Sequence, residues 1–258
     1  MKMALITGGA QGIGRGIVDH LIQHGWSVAA LDLDGEALDE LAGTYAAHEL
    51  LTLQADVGDE GQVAKAFEKL DEWQRSEGKG DADAEGLDLL VNNAGIANPH
   101  SGPIESLSLA DWRRWQDSHL TGAFLCTRAA VPRLRLRSGS IVNMASTRAL
   151  QSEPDSEAYA AAKGGLVAFT HALAISLGPD IRANVICPGW IETGPWQKKS
   201  QRKASHHRDI DNRQHPAGRV GEPPDIAAAV LYLASASFVT GQCLSIDGGM
   251  TRKMIYAD

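Results

Sequence analysis

The sequence predicts an α/β fold, a doubly wound parallel sheet with helices on both faces, and two observations carry that prediction. Seven short apolar runs with strand character, at 3–7, 27–31, 50–54, 87–91, 140–144, 183–187 and 242–246, alternate with helical patterns at about 13–24, 35–47, 60–75, 109–136, 156–177 and 224–235. Strands and helices alternating through short connections are the pattern of βαβ units. A glycine-rich string, Thr7-Gly8-Gly9-Ala10-Gln11-Gly12-Ile13-Gly14, sits between the first strand and the first helix. Glycines there let the backbone turn tightly and approach a pyrophosphate seated at the positive helix N-terminus.

Asp32 ends the second strand, where a carboxylate can accept from a ribose 2′-hydroxyl and repel a 2′-phosphate. Leu33 follows it, with no arginine to receive that phosphate, so NAD is expected over NADP. Asp32 would otherwise cap the next helix, a task for which Asp34 is better placed. Asp56-Val57 follows the third strand and Asn92-Asn93-Ala94-Gly95 the fourth. The small residues there let a flat ligand approach the strand end, although either stretch alone is also ordinary turn chemistry. Between helix three and strand four, Ser76 to Gly86 is polar, acidic and glycine-rich and reads as a surface loop. The βα rhythm resumes after it, so a single domain is expected over 1–258.

Composition narrows the function. Lys and Arg total 24 against 32 Asp and Glu, a net charge of −8, with no basic stripe, which argues against nucleic acid as a partner. The small basic cluster from Lys198-Lys199 to Arg208 reads as a mobile polar loop. Cys126, Cys187 and Cys243 are far apart and odd in number, so neither a metal site nor a disulfide framework is expected, and the compartment is expected to be cytoplasmic and reducing. Met1 leads directly into a strand, with no signal-peptide pattern. The longest apolar segment, near 227–234, is too short to span a bilayer.

The chemistry concentrates in Tyr159-Ala160-Ala161-Ala162-Lys163. Tyr and Lys four apart share a helix face. A free phenol, with a pKa near ~10, is a poor base at neutral pH. A nearby ammonium favours the phenolate and is expected to lower that pKa. Taken alone, the pair is equally a half-buried Tyr beside a solvated Lys.

In combination these motifs are specific. Thr7-Gly8, Gly12 and Gly14, then Asn92-Asn93-Ala94-Gly95, Ser146 thirteen residues before Tyr159, Lys163, Pro188-Gly189, Thr193 and Asp247-Gly248-Gly249 occur in one order. The whole chain resembles the short-chain dehydrogenases/reductases of roughly 250 residues. The resemblance implies a seven-stranded Rossmann-type sheet in one domain, and a homotetramer or homodimer paired through the long helices at about 109–136 and 156–177. It implies a catalytic acid/base at Tyr159, with Lys163 lowering its pKa and holding the nicotinamide ribose. Ser146 would steady the substrate oxygen, and Pro188, Gly189, Ile191 and Thr193 would hold the carboxamide. A mobile substrate lid is implied at about 194–215.

One position departs from the family. In Ser118-His119-Leu120-Thr121-Gly122-Ala123-Phe124, His119 stands where the family has an asparagine that holds a water linking the lysine to solvent. His119 either holds that water, relays a proton itself, or fills space. For the substrate, Arg148, Trp190 and Glu192 are candidate contacts, alongside Ala97, Asn98, His100, Leu150, Glu153 and Trp196. Arg148 offers a planar fork for a carboxylate or vicinal oxygens, or else pairs with Glu153 or Glu157. The charged, histidine-rich lid favours a small polar alcohol, sugar or hydroxy acid. The expected activity is NAD-dependent oxidation of such an alcohol. An oxoacyl or carbonyl reductase and a non-catalytic NAD(H)-binding protein are the alternatives.

Overall fold

The computed structural model describes residues 1–76 and 86–254. The polar loop expected over 76–86 therefore falls, from 77 to 85, outside the described residues. The seven expected strands all form: β1 Lys2–Thr7, β2 Trp26–Asp32, β3 Leu50–Gln54, β4 Leu89–Asn92, β5 Ser140–Met144, β6 Arg182–Pro188 and β7 Cys243–Ile246. They build one all-parallel sheet in the order β3-β2-β1-β4-β5-β6-β7. The order reverses between β1 and β4, which opens a crevice beyond the carboxyl ends of those two strands.

The described residues form eight α-helices: α1 Gly12–Gln23, α2 Gly35–Ala42, α3 Glu60–Ser76, α4 Leu109–Gln116, α5 Gly122–Arg135, α6 Glu157–Leu177, α7 Asp209–Arg213 and α8 Pro223–Ser235. Alternate residues of each central strand feed opposite cores. Ala4, Ile6, Val28 and Val142 pack with Ile17, Leu21, Ile226 and Val230 from α1 and α8. Leu5, Leu31, Leu90 and Ile141 pack with Phe67, Leu70, Cys126 and Leu134 from α3 and α5. Burial on both faces explains why the strands read as nearly unbroken apolar runs.

Three sequence expectations change. The helix expected over 109–136 is interrupted by a π-helical turn, Asp117–Thr121, which inserts one residue into the spiral and holds His119. The pattern at 35–47 yields a helix only to Ala42, because Gly43 ends it and Thr44 turns back to bond Leu41. The longest apolar segment is not 227–234 but α6, which by length and a mean hydropathy of 1.4 would suffice to cross a membrane. Here α6 packs on β5 and β6, and 28% of that window is buried.

A buried polar chain ties the two central strands to the helices on one face. Asn92 Nδ2 donates to Thr127 Oγ1 at 3.0 Å and to Asn143 Oδ1 at 2.8 Å. Asn143 Nδ2 donates to Thr170 Oγ1 at 2.8 Å, and Thr170 donates to Leu166 O at 2.7 Å. The chain sets the height of α6, and with it the catalytic motif, against β5. Asn143→Ala leaves one Asn92 donor and one Thr170 acceptor without a partner. It should cost about 2 kcal/mol, seen in thermal unfolding as a drop of roughly 4–8 °C; an unchanged midpoint would show that water replaces the amide.

Candidate active site

The crevice at the strand reversal deepens into a cavity of about 1060 Å³. Its walls bring together Gly8, Gln11, Gly12, Ile13, Asp32, Leu33, Asp56, Val57, Asn93, Ala94, Gly95, His119, Ser146, Arg148, Tyr159, Lys163, Pro188, Gly189, Trp190, Ile191 and Thr193. Of the sequence-derived candidates, Gly14, Asn98, Leu150, Glu192 and Trp196 do not line it. Gly14 is buried where α1 crosses the glycine-rich turn, and a Cβ there would sit 1.9 Å from the Gly8 carbonyl oxygen. It is a packing glycine. Glu192 turns away, accepting from the Gly194 N–H at 2.7 Å and lying 3.6 Å from His207 Nε2. It shapes the loop after β6 rather than facing the cavity.

At the turn itself, Gly8 and Gly12 have φ of 61° and 57°, a conformation costly for any residue with a Cβ. Thr7 Oγ1 accepts the N–H groups of Asn93 and Ala94 at 2.9 and 3.0 Å, and Asn93 Nδ2 donates to Thr7 O and Gly8 O at 3.0 and 3.1 Å. These bonds lock the β1 turn to the end of β4. Asp32 accepts from Ala10 N–H at 3.0 Å and Asp34 N–H at 3.1 Å, which fixes its carboxylate at the cavity edge. Asp34 caps α2 through Ala37 N–H, as its position suggested. Gln197, Gln214, Ser152 and Met250 also line the cavity. Gln197 and Gln214 fall in the segment expected as a lid at about 194–215, whereas Ser152 and Met250 carried no sequence signal of their own.

At the other end, Ser146 is 5% exposed and lies just past β5. Its Oγ accepts the Arg148 N–H at 3.1 Å. Tyr159 and Lys163 project from one face of α6, with Lys163 Nζ 5.5 Å from the Tyr159 ring centroid. The ammonium donates to Met144 O at 2.8 Å. Burial pulls the Lys163 pKa down to about 7, opposed by Cys187. Burial also raises the Tyr159 pKa, while a hydrogen bond with Ser146 and the charge of Arg148 pull it back. The expectation that Lys163 lowers the phenol pKa is therefore corrected. The lysine points its charge at the β5 carbonyl, and the phenol stays protonated at neutral pH.

His119 is 3% exposed and meets the Tyr159 ring edge-on, with centroids 5.3 Å apart. Neither ring nitrogen makes a well-formed hydrogen bond among the described residues, although the Ile96 main chain lies close enough to favour the protonated ring slightly. A Cβ on Gly95 would lie 2.0 Å from the ring, so this glycine makes room for it. Burial, with the Lys163 charge adding to it, takes the His119 pKa down to about 2. The imidazole is thus neutral at working pH and does not store a proton as imidazolium. Arg148 pairs with Glu153, which also lies 4.0 Å from His100 Nε2. The guanidinium still lines the cavity, and its Nε is buried without a partner.

The chain matches the family model described as enoyl-(acyl carrier protein) reductase over residues 8–251. It is 43% identical to an uncharacterized oxidoreductase of Thermotoga maritima, over 100% of this chain and 98% of that one. The chain belongs to the short-chain dehydrogenase/reductase family. It is also 36% identical to the 3-oxoacyl-[acyl-carrier-protein] reductase of the same organism, covering 96% of this chain and 97% of that one. An apo enzyme structure from Clostridium thermocellum superposes with a TM-score of 0.86 at 36% identity, over 99% of this chain and 95% of the other. This short-chain dehydrogenase/reductase is thus an oxidoreductase acting on CH–OH donors, with the Rossmann-type fold of a family that uses NAD(P)(H) and small-molecule substrates.

The buried ammonium gives a pH test with a definite sign. In the unfolded chain Lys163 keeps its proton to about 10.5, and in the fold only to about 7. Between those values the unfolded state binds more protons, so this group makes stability rise with pH. Below them the cost of burying the charge is present in full. Lys163→Met should therefore melt several degrees above wild type at pH 6, and the gap should narrow as pH rises toward 10. A variant that melts at or below wild type at pH 6 would show that the Met144 hydrogen bond outweighs the burial cost.

Proposed function

We propose that this enzyme binds NAD in preference to NADP and oxidises a small polar secondary alcohol, such as a sugar, polyol or hydroxy acid. The observation that carries this reading is one cavity with Ser146, Tyr159 and Lys163 at one end and the Asp32 carboxylate, flanked by Leu33, at the other. The residues fit a dinucleotide. A Cβ on Gly12 would only make ordinary contact with Thr193 Cγ2 at 3.6 Å, so it is the φ of 57° that calls for glycine in the turn where a pyrophosphate would sit. Asp32, already fixed by two backbone donors, has acceptor capacity left for a ribose hydroxyl and would repel a 2′-phosphate.

When bound, the nicotinamide supplies the hydride acceptor. Tyr159 is the group that exchanges the proton of the substrate oxygen. Ser146 presents its hydroxyl to the same oxygen and steadies developing charge there. Lys163 holds the adjoining ribose hydroxyls, with its ammonium anchored on the Met144 carbonyl. Because burial keeps Tyr159 protonated, carbonyl reduction has its proton ready at neutral pH, whereas alcohol oxidation gains as pH rises. His119, neutral and without a well-formed side-chain partner, is suited to hold a water in the place the family gives to asparagine. The cavity mouth is polar, with His100, Arg148, Gln151, Ser152 and Glu153, which suits hydroxyls or a carboxylate better than a long chain.

Two further readings belong here. The segment at about 194–215 acts as the lid. The chain works as a homotetramer or homodimer, supported by apolar side chains left on the outer faces of α5 and α6, with Phe124 45% and Ile175 84% exposed. Its three free thiols suit a reducing cytoplasm. A second reading, reduction of an oxoacyl substrate, is favoured by the likeness to the Thermotoga maritima reductase.

A screen of polyols, sugars and hydroxy acids with NAD, followed at the NADH absorbance, tests the reading; turnover only of oxoacyl substrates with NADPH would replace it by the second. Tyr159→Phe should lose at least about 100-fold in turnover while NADH binding, measured by fluorescence, stays near wild type. Retention of a tenth of the rate would remove Tyr159 from its role. Asp32→Ala with Leu33→Arg should bring NADP into use, since it deletes a repelling carboxylate and adds a guanidinium. Wild-type protein that binds NADPH more tightly than NADH would refute the cofactor assignment.

A further inference from the structure

The segment after β6 does not stay at the substrate end of the cavity. From Thr193 it passes close over the glycine-rich turn, where a Cβ on Gly12 would lie 3.8 Å from Gln197 Nε2. The next three residues are fastened to the start of α2. Lys198 Nζ lies 2.8 Å from Asp34 Oδ2 and 2.7 Å from Glu36 Oε2, with only 12% of its side chain exposed. The Lys199 N–H donates to both oxygens of Glu40 at 3.1 Å, and Ser200 Oγ donates to Glu36 Oε1 at 3.0 Å. Gln11 stitches the strap to the turn beneath it. Its Nε2 donates to Asp34 Oδ2 at 3.2 Å, and its Oε1 accepts the Lys198 N–H at 3.1 Å. The basic cluster that reads in sequence as a mobile polar loop is, at Lys198, a covered and doubly paired cation.

We propose that Lys198 is a positioning residue for the dinucleotide: it latches the 197–200 strap across the adenosine half of the cavity, so that cofactor release requires the contacts with Asp34 and Glu36 to open. This rests on the dinucleotide reading above. An isolated exposed ion pair contributes little. This cation is covered and sits between two carboxylates, and main-chain bonds from Lys198 itself and from Lys199 hold the same strap. Removing the cation leaves Asp34 and Glu36 repelling each other beneath the strap, so loss of Lys198 opens it rather than merely loosening it. Lys198 is pushed up to about 12 by its two acids, and both acids are held below their usual range. The latch is therefore charged throughout the working pH range, and it answers to salt rather than to pH.

The test is stopped-flow release of NADH, chased by excess NAD, for wild type, Lys198→Arg and Lys198→Met. It is run at about 50 and 500 mM NaCl, a span over which screening shortens severalfold in range. Hydrogen exchange of residues 197–203 is measured in parallel on the protein without cofactor. The latch predicts release about tenfold faster in Lys198→Met, acceleration by salt in wild type but not in that variant, and rescue by Lys198→Arg. It also predicts faster exchange across the strap in Lys198→Met. Unchanged release, or equal salt acceleration in wild type and Lys198→Met, overturns the latch while leaving the cofactor reading intact. A wild type that gives no saturable NADH signal overturns the cofactor reading and the proposal together.

Discussion

The site depends on one buried charge. Lys163 is carried into the core by α6 and held there by a single main-chain acceptor, Met144 O, at the last residue of β5. That bond fixes the rotation of α6 about its axis relative to the sheet edge. Tyr159, one turn earlier on the same helix face, then has only one place to put its phenol, beside Ser146. The Asn92–Asn143–Thr170 chain fixes the same helix further along. The placement of Ser146, Tyr159 and Lys163 thus follows from how one helix is pinned to two adjacent strands, and the helix is pinned by polar groups that an apolar core would otherwise exclude.

The same burial drives the two side chains apart in acidity. A phenol in this cavity is held protonated, and an ammonium beside it is held near the point of losing its proton. The phenol moves upward from 10 and the ammonium from 10.5 down to about 7. Direct proton exchange between the two is therefore harder than between the same side chains in water, and each keeps its neutral form more readily. The interaction that tips the balance in this structure comes from Arg148 and Ser146 rather than from the lysine, an assignment open only to coordinates.

The fold was legible in the sequence because its signals are redundant. Each central strand is buried on both faces, so its run of apolar residues is unmistakable, and Gly8, Gly12 and Gly14 sit between a strand and a helix where few other residues could. Most of the cavity wall followed from the same motifs, since strand ends in a doubly wound sheet converge on one crevice. What escaped were features set by direction rather than by residue type. Gly14 reads like a ligand-facing glycine, yet it packs α1 against its own turn. Glu192 stands beside the cavity loop but points the other way. The π-turn that seats His119 leaves no compositional trace, and the apolar reach of α6 was hidden because Lys163 and its small residues dilute the pattern. Lys198 looked like a solvated charge because its acidic partners lie more than 150 residues away in sequence.

The charges at the two ends of the cavity obey one rule. At the Tyr159 end the cation Arg148 is held by Glu153, and near the Asp32 end the cation Lys198 is held by Asp34 and Glu36. Neither is left free to attract any passing anion. A bare arginine at the cavity mouth would bind inorganic phosphate or carboxylates indiscriminately, while one already paired gives up its partner only to a ligand that offers comparable geometry. Arg148 Nε is buried without a partner among the described residues and closed to solvent, so a ligand oxygen reaches this guanidinium only by competing with Glu153 for its outer nitrogens. The cation at the mouth is therefore neutralised within the wall, which leaves a polar rim rather than a positive one in a protein whose overall charge is negative.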